Sequence, residues 1–421
     1  MVTSPARETS SIPGDEVRGR RLDFANTALE RAWSKGWCQR PQLDTQALVA
    51  AARIETGLTD FGPENGWRER LERLTAALHA EAALTALGTT IAYGQLVSAL
   101  SNRLRAARLW REHPEIAQVP ITAPIVIVGQ MRSGSTRMQR LLACDERFAF
   151  TRFYESWNPV PRWRGLPVDD RRARAWFSLR VAHLINPQFG VIHPTRSRQA
   201  DEEIGLHNVA LFGAAFEAQW RIPSFARHGE QADARPVYAE FRRQLRMLRW
   251  LRREPGDKPW VLKLPQFAQD LDALLHTFPD ARLVYLDRDP VSVVGSSASL
   301  VHNQMRVQSD HVDRAWIGHE TLHKVSLRQE RMDEARRRYG VPAAEVSYEA
   351  MQVDWRAEIE RVYAGLGVEV TSQASSAMER YMGQRRHGRL HRHRYDIAEY
   401  GLTDSQVRAA LQSPGEERLS A

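Results

Sequence analysis

The run Gly129-Gln130-Met131-Arg132-Ser133-Gly134-Ser135-Thr136 follows the apolar stretch Pro124 to Val128 and opens onto a helix-like segment, Thr136 to Leu142. A glycine turn between strand and helix aims backbone N–H groups and a helix N-terminus at one point, which makes a cradle for an anion. Both glycines and the final Thr136 of a phosphate-binding loop are present, with Ser135 where the lysine would stand. A nucleoside triphosphatase needs that lysine on the β- and γ-phosphates and its hydroxyl residue on Mg²⁺. The nearest cation here is Arg132, inside the loop, so the pattern predicts an anionic ligand held without the usual lysine and metal.

Further along, Arg288-Asp289-Pro290 ends the apolar run Arg282 to Leu286, and Ser296 follows about two helical turns later. An arginine leaving a strand and a serine on the next helix would grip a second phosphate; read alone, they are equally a surface turn. Lysine occurs only at positions 35, 258, 263 and 324, every other basic residue being arginine, and Lys263 sits inside an apolar run. Acidic residues gather at Asp201, Glu202 and Glu203, which alone read as a solvated helix face.

The 421 residues suffice for a full core, and 43% hydrophobic with 26% charged residues is the balance of a globular protein. No apolar run is long enough to span a bilayer, and Met1 to Arg21 lacks the apolar core of a signal peptide, so we expect a cytoplasmic protein without a membrane span. Cys38 and Cys144 are far apart and carry no metal-like spacing. A net charge of +8 suits an anionic ligand, a nucleic acid or a membrane surface alike.

The elements that must position these residues follow from periodicity. Leu71, Leu74, Leu78, Leu84 and Leu87 recur at helical spacing, so residues 1–120 read as an N-terminal helical region. From Pro124 short β-branched runs alternate with helices, which predicts an α/β fold: a P-loop-type parallel sheet with flanking helices. The strand candidates are Ile125 to Val128, Phe148 to Thr151, Trp260 to Leu264, Arg282 to Leu286 and Glu345 to Tyr348. We assign residues 121–402 to this domain, with a helical substrate cap inserted at about 163–255 and a tail at 403–421. Phe241, Leu245, Leu248 and Leu251 would form one apolar face within the cap.

The pairing of Arg-Ser-Gly-Ser-Thr after the first strand with Arg-Asp-Pro and a serine eight positions after its arginine resembles the sulfotransferases that use 3′-phosphoadenosine 5′-phosphosulfate (PAPS). Ala200-Asp201-Glu202-Glu203, Leu262-Lys263-Leu264-Pro265, Phe278-Pro279-Asp280-Ala281-Arg282 and the late His393-Arg394-Tyr395 resemble the bacterial branch related to the tyrosylprotein and carbohydrate enzymes. This resemblance implies that Arg132, Ser133, Gly134, Ser135 and Thr136 hold the 5′-phosphosulfate, and that Arg288 and Ser296 hold the 3′-phosphate. It also implies that Arg389, Arg392 and His393 close a late loop over that phosphate, and that adenosine 3′,5′-bisphosphate (PAP) is the product. Arg137 stands where relatives place a residue against adenine, and a guanidinium stacks on a base too.

The same resemblance implies that Arg132 and Lys263 stabilise the group in transfer, and it gives Glu155 the role of general base. A carboxylate set between aromatics, as in Phe153-Tyr154-Glu155-Ser156-Trp157, is expected to have a raised pKa. An N-cap or salt-bridge role fits Glu155 as well. Glu202 and Glu203 are second candidates for base or acceptor orientation. The histidine that cytosolic relatives carry two places after the strand lysine is replaced by Pro265, Gln266 is not diagnostic, and His193 and His207 read as structural. Two rivals remain: a P-loop kinase or NTPase with Asp287 on magnesium, and a non-catalytic Arg-rich nucleic-acid binder using residues 385–394, which contain no aromatic to interleave. The acceptor expected is a hydroxyl on a small molecule, lipid or sugar, with no nucleic acid involved.

Overall fold

Alternate residues of the first strand go to opposite cores, and this two-sided burial determines the architecture. In a computed structural model, which describes residues 13–162, 169–188, 190, 195–254, 256–386 and 396–411, all five expected strands form. They are β1 (Ile125–Gly129), β2 (Ala149–Phe150), β3 (Trp260–Lys263), β4 (Arg282–Asp287) and β5 (Ala343–Ser347). The sheet is wholly parallel, in the order β2-β3-β1-β4-β5. Val126 and Val128 enter one core with Phe241, Leu245 and Leu248, and Ile125 and Ile127 enter the other with Trp355, Ile359 and Val362. Such burial on both faces is what a near-continuous apolar strand in a parallel sheet requires.

β1 lies at the centre, where the strand order reverses, so the loop after it opens into the crevice beyond the strand ends. Register places Ile127 beside Lys263 and Gly129 beside Leu286. The sequence-expected apolar face of the insertion forms helix Arg235–Arg252, whose Phe241, Leu245 and Leu248 are buried on the sheet. Leu251 is only partly buried and joins a separate cluster with Met247 and Ile116. Full burial of each such side chain stabilises by about 1.5–3 kcal/mol.

The N-terminal region is helical over Thr45–Thr56, Trp67–Ala80 and Ala86–Glu112. Leu71, Leu74 and Leu78 are buried there, and they share their core with Leu211, Phe216, Trp220, Ile222 and Phe225 from the inserted segment. Leu84, grouped with the helical leucines by spacing, instead lies between helices and bridges to Ser309. No described helix is long and apolar enough to cross a membrane.

Candidate active site around the loop after β1

The loop takes its shape from two residues with left-handed backbone, Arg132 (φ 70°) and Gly134 (φ 90°). Helix Ser135–Leu142 begins directly after them, so its first N–H groups lack intrahelical acceptors and point out of the loop. A Cβ at Gly134 would lie 2.8 Å from the Tyr348 ring, and one at Gly129 would lie 2.8 Å from the Leu286 carbonyl oxygen. Glycine is therefore a steric requirement at both positions. Ser133 is buried, and its Oγ has no hydrogen-bond partner among the described residues.

One flank is built by helix Pro290–Gln308. Its Ser296 Oγ accepts a hydrogen bond from Arg132 Nε at 3.0 Å, while Arg288 donates to the Arg132 carbonyl. Arg288 also lies over the Tyr348 ring, 4.1 Å from its centre, and Arg137 lies over the same ring at 5.6 Å. Arg132, Arg137, Arg288 and Ser296 are thus brought together although 164 positions separate the first contact pair. Tyr348 is a residue that the reading of the sequence missed as part of the site. Its signal was its place at the carboxyl end of a predicted strand, where ligands of α/β sheets gather.

The other flank is set by β3. Lys263 is 2% exposed and its ammonium bridges the Thr136 hydroxyl, at 3.2 Å, and the Glu202 carboxylate. The acidic run is not a solvated helix face. Ala200 bridges to Arg152, the Asp201 N–H bonds the Thr151 carbonyl at 3.0 Å, and Gln139 from the loop helix donates to the Asp201 carbonyl at 3.0 Å. This splice along β2 turns Glu202 toward the Lys263 ammonium and brings Glu203 to the Lys263 backbone. Glu203 is fully buried and accepts from the Lys263 backbone N–H at 2.8 Å. Desolvation pushes its pKa up to about 8, because burial outweighs the donors and the Lys263 charge that favour the anion.

Glu155 meets a different environment from the one its aromatic neighbours suggested. It is wholly buried, closes a capping box with the Arg152 N–H, and accepts from Arg252 Nε at 2.8 Å and the Tyr154 hydroxyl at 3.0 Å. Burial pushes its pKa up, but the Arg252 and Arg152 guanidiniums outweigh it and hold the carboxyl below the ordinary value. The raised pKa expected from sequence is corrected accordingly: two arginines, one of them 97 positions away, supply what the local context omits.

Arg389, Arg392, His393 and also His193 lie outside the described residues. His207 is buried among Tyr238, Phe241 and Phe267, where desolvation lowers its pKa to about 3. Gln266 is buried and donates to Asp270 at 2.9 Å, away from any exposed chemistry.

Beside the loop, on the side of helix Pro290–Gln308, opens a narrow cleft of about 60 Å³. Met131 of the loop lines it, and Trp220, Ile222, Met305, Trp316 and Ile317 supply apolar wall. One wall is charged: Lys324 pairs with Glu217 at 2.7 Å and Glu230 at 2.6 Å. Those two carboxylates offset the ammonium charge, and Glu320 and Arg328 line the same cleft, so an apolar wall faces a charged one.

The sequence pattern of the sulfotransferase family matches residues 124–372, more than half of the chain. Omega-hydroxy-beta-dihydromenaquinone-9 sulfotransferase Stf3 of Mycobacterium bovis is 25% identical over 273 residues, covering 58% of this chain and 63% of that protein. Its counterpart in Mycobacterium tuberculosis (strain CDC 1551 / Oshkosh) gives the same figures. The match thus spans less than two thirds of the length of these curated relatives. Among solved structures, sulfotransferase STF1 from Mycobacterium tuberculosis H37Rv superposes with a TM-score of 0.76 at 29% identity, over 87% of this chain and 98% of that one. Sulfotransferase STF9 from Mycobacterium avium shares the fold, with a TM-score of 0.79 at 22% identity over 90% and 96% of the two chains. With the strand order, the loop and the family pattern all falling on the same residues, the chain belongs to the sulfotransferase family.

Proposed function

We propose that this protein transfers a sulfuryl group from PAPS to a hydroxyl on an apolar acceptor. The observation that carries the reading is the pair of contacts flanking one loop: Arg132 to Ser296 on one side, and Thr136 to Lys263 to Glu202 on the other. The residues fit the nucleotide. A buried, unpartnered Ser133 hydroxyl and a helix N-terminus suit the 5′ end, and Arg132, Gly134, Ser135 and Thr136 would hold it with them. Arg288 and Ser296 would hold the 3′-phosphate, and Arg137 with Tyr348 would pack on the adenine.

When bound, PAPS supplies the activated sulfuryl group. The protein must hold that group, take one proton from the acceptor and meet the charge left on the departing phosphate. Arg132 and Lys263 are the cations for that charge. Of the three candidate carboxylates, Glu202 is the one whose carboxylate reaches the loop, through Lys263, and it is our choice of base. Burial raises the pKa of Glu203 to about 8, which favours its protonated form at neutral pH and makes it the weaker choice. Glu155 is committed to Arg252 and Arg152, and we assign it to positioning: it fastens helix Arg235–Arg252 to the end of β2.

The apolar acceptor rests on the cleft that Met131 of the loop lines, and the name of one relative, a dihydromenaquinone sulfotransferase, points the same way. Calorimetric titration in EDTA tests the donor half: PAP should bind, and ATP with Mg²⁺ should bind far more weakly. Preference for Mg·ATP would return the chain to the kinase reading. Incubation with labelled PAPS and long-chain alcohols or hydroxylated quinones tests the acceptor half.

A further inference from the structure

Helix Asp170–Ile185 turns an apolar, basic half toward solvent. At about 100° per residue, Arg172, Ala173, Trp176, Phe177, Arg180, Val181 and Leu184 fall in one continuous half of its circumference, and all seven are exposed. Trp176 is 59%, Phe177 64% and Leu184 67% exposed, far beyond the isolated apolar residue that any surface carries. Arg180 lies over the Trp176 ring at 5.6 Å, so cation and aromatic share one surface.

The rest of the helix is anchored. Ala175 and Leu179 are buried, Arg174 donates to Asn158 at 2.9 Å, and Asn186 just past the helix donates to Asn303 at 2.7 Å. The acids at its start are spent internally, Asp169 on Arg171 at 2.9 Å and Asp170 on Arg174 at 2.8 Å. From Arg172 to Leu184 the sequence contains no acid. On the neighbouring helix Pro13–Ser34, whose Arg21 reaches the Leu184 carbonyl, Phe24 is 77% exposed, with Arg20, Arg21 and Asp23 around it.

We propose that the face made by Arg172, Trp176, Phe177, Arg180, Val181 and Leu184 docks the protein on an anionic lipid bilayer. Aromatic and aliphatic tips enter the boundary between headgroups and acyl chains, while the arginines keep their heads at the lipid phosphates. A nucleic acid would use the arginines but leave Val181 and Leu184 in water. A second copy meeting this helix face by symmetry would set arginine against arginine, and the face itself carries no carboxylate to receive them. Asn303 lies on helix Pro290–Gln308, between Val301 and Met305 of the apolar cleft wall, so the docked helix is fastened to the same element that lines the cleft.

The test uses the full chain in flotation assays with phosphatidylcholine vesicles, with and without phosphatidylglycerol. Binding to the anionic vesicles is expected, and Trp176→Ser/Phe177→Ser/Leu184→Ser should reduce it roughly tenfold or more. Arg172→Gln/Arg180→Gln should abolish the preference for anionic over neutral vesicles. PAP affinity and the urea midpoint, measured on the same samples, should stay at wild-type values, which separates failure here from failure of the sulfuryl-transfer reading. Wild-type protein that stays off anionic vesicles, or a triple variant that floats with them as well as wild type, overturns the proposal. So does a dimer in sedimentation that the triple variant dissolves without any vesicle binding, which would make this face a contact between copies.

Discussion

Replacing Glu203 by Gln removes one titrating group from beneath the active site and leaves its shape. The folded carboxyl has a pKa pushed up to about 8, against 4.5 for the free side chain. Its raised value means that folding retains a proton which the unfolded chain has already lost, so its stabilising share is complete below pH 4.5 and fades as the pH climbs toward 8. One pKa unit is worth about 1.36 kcal/mol, so between pH 5 and pH 8 the wild type should lose about 3 kcal/mol relative to Glu203→Gln. Equilibrium urea unfolding of both proteins at unit pH steps, followed by tryptophan fluorescence, measures that difference directly. Asp270, raised to about 7 by burial, titrates in the same window but cancels between the two proteins. A difference that stays level across the range, or one that favours the wild type at high pH, would refute the assignment of a neutral buried carboxyl. It would also reopen the base role for Glu203. In the opposite case Glu203→Gln retains turnover while Glu202→Gln loses it.

Lys263→Met keeps the buried stem but removes the ammonium from Thr136 and Glu202, so turnover should fall on the order of a hundredfold to a thousandfold with PAP affinity nearly kept; unchanged turnover from labelled PAPS would rule Lys263 out of the chemistry. Gly134→Ala places a Cβ 2.8 Å from Tyr348 at a backbone φ of 90°, and calorimetry should find PAP binding lost in a protein that still folds; wild-type affinity would mean the loop is not the anion cradle. Arg252→Met leaves the buried Glu155 charge with Arg152 alone and should destabilise by up to about 3–5 kcal/mol in urea, with Arg252→Met/Glu155→Gln recovering much of the loss; equal stability of the single variant and wild type would show that the pair does not anchor the helix.

What the sequence determined was local. The apolar runs specify the central strands β1, β3 and β4 because a strand buried on both faces needs an unbroken apolar stretch, whereas the edge strand β5 alternates exposed and buried residues; each run formed its strand to within two or three residues. The glycines of the loop are legible for the same reason: Gly134 must adopt a conformation that a side chain resists, whatever the rest of the chain does. Arg132, Lys263, Arg288 and Ser296 could be listed because each lies in or just after a recognisable element.

Only the tertiary structure decided the electrostatics. Whether a carboxylate is raised or lowered depends on charges that arrive from elsewhere in the chain, and Arg252 reaches Glu155 across 97 positions while Lys263 reaches Glu202 across 61. Local context therefore gave Glu155 the wrong direction, and three consecutive acids read as one solvated run. The fold separates that run: beyond an antiparallel bridge at Ala200, Glu202 meets the Lys263 ammonium and Glu203 is buried against the Lys263 backbone. Tyr348, which gathers Arg137 and Arg288 on one ring, gains its place because β5 ends beside β4, a neighbourhood that hydrogen bonds between distant strands create and no spacing records.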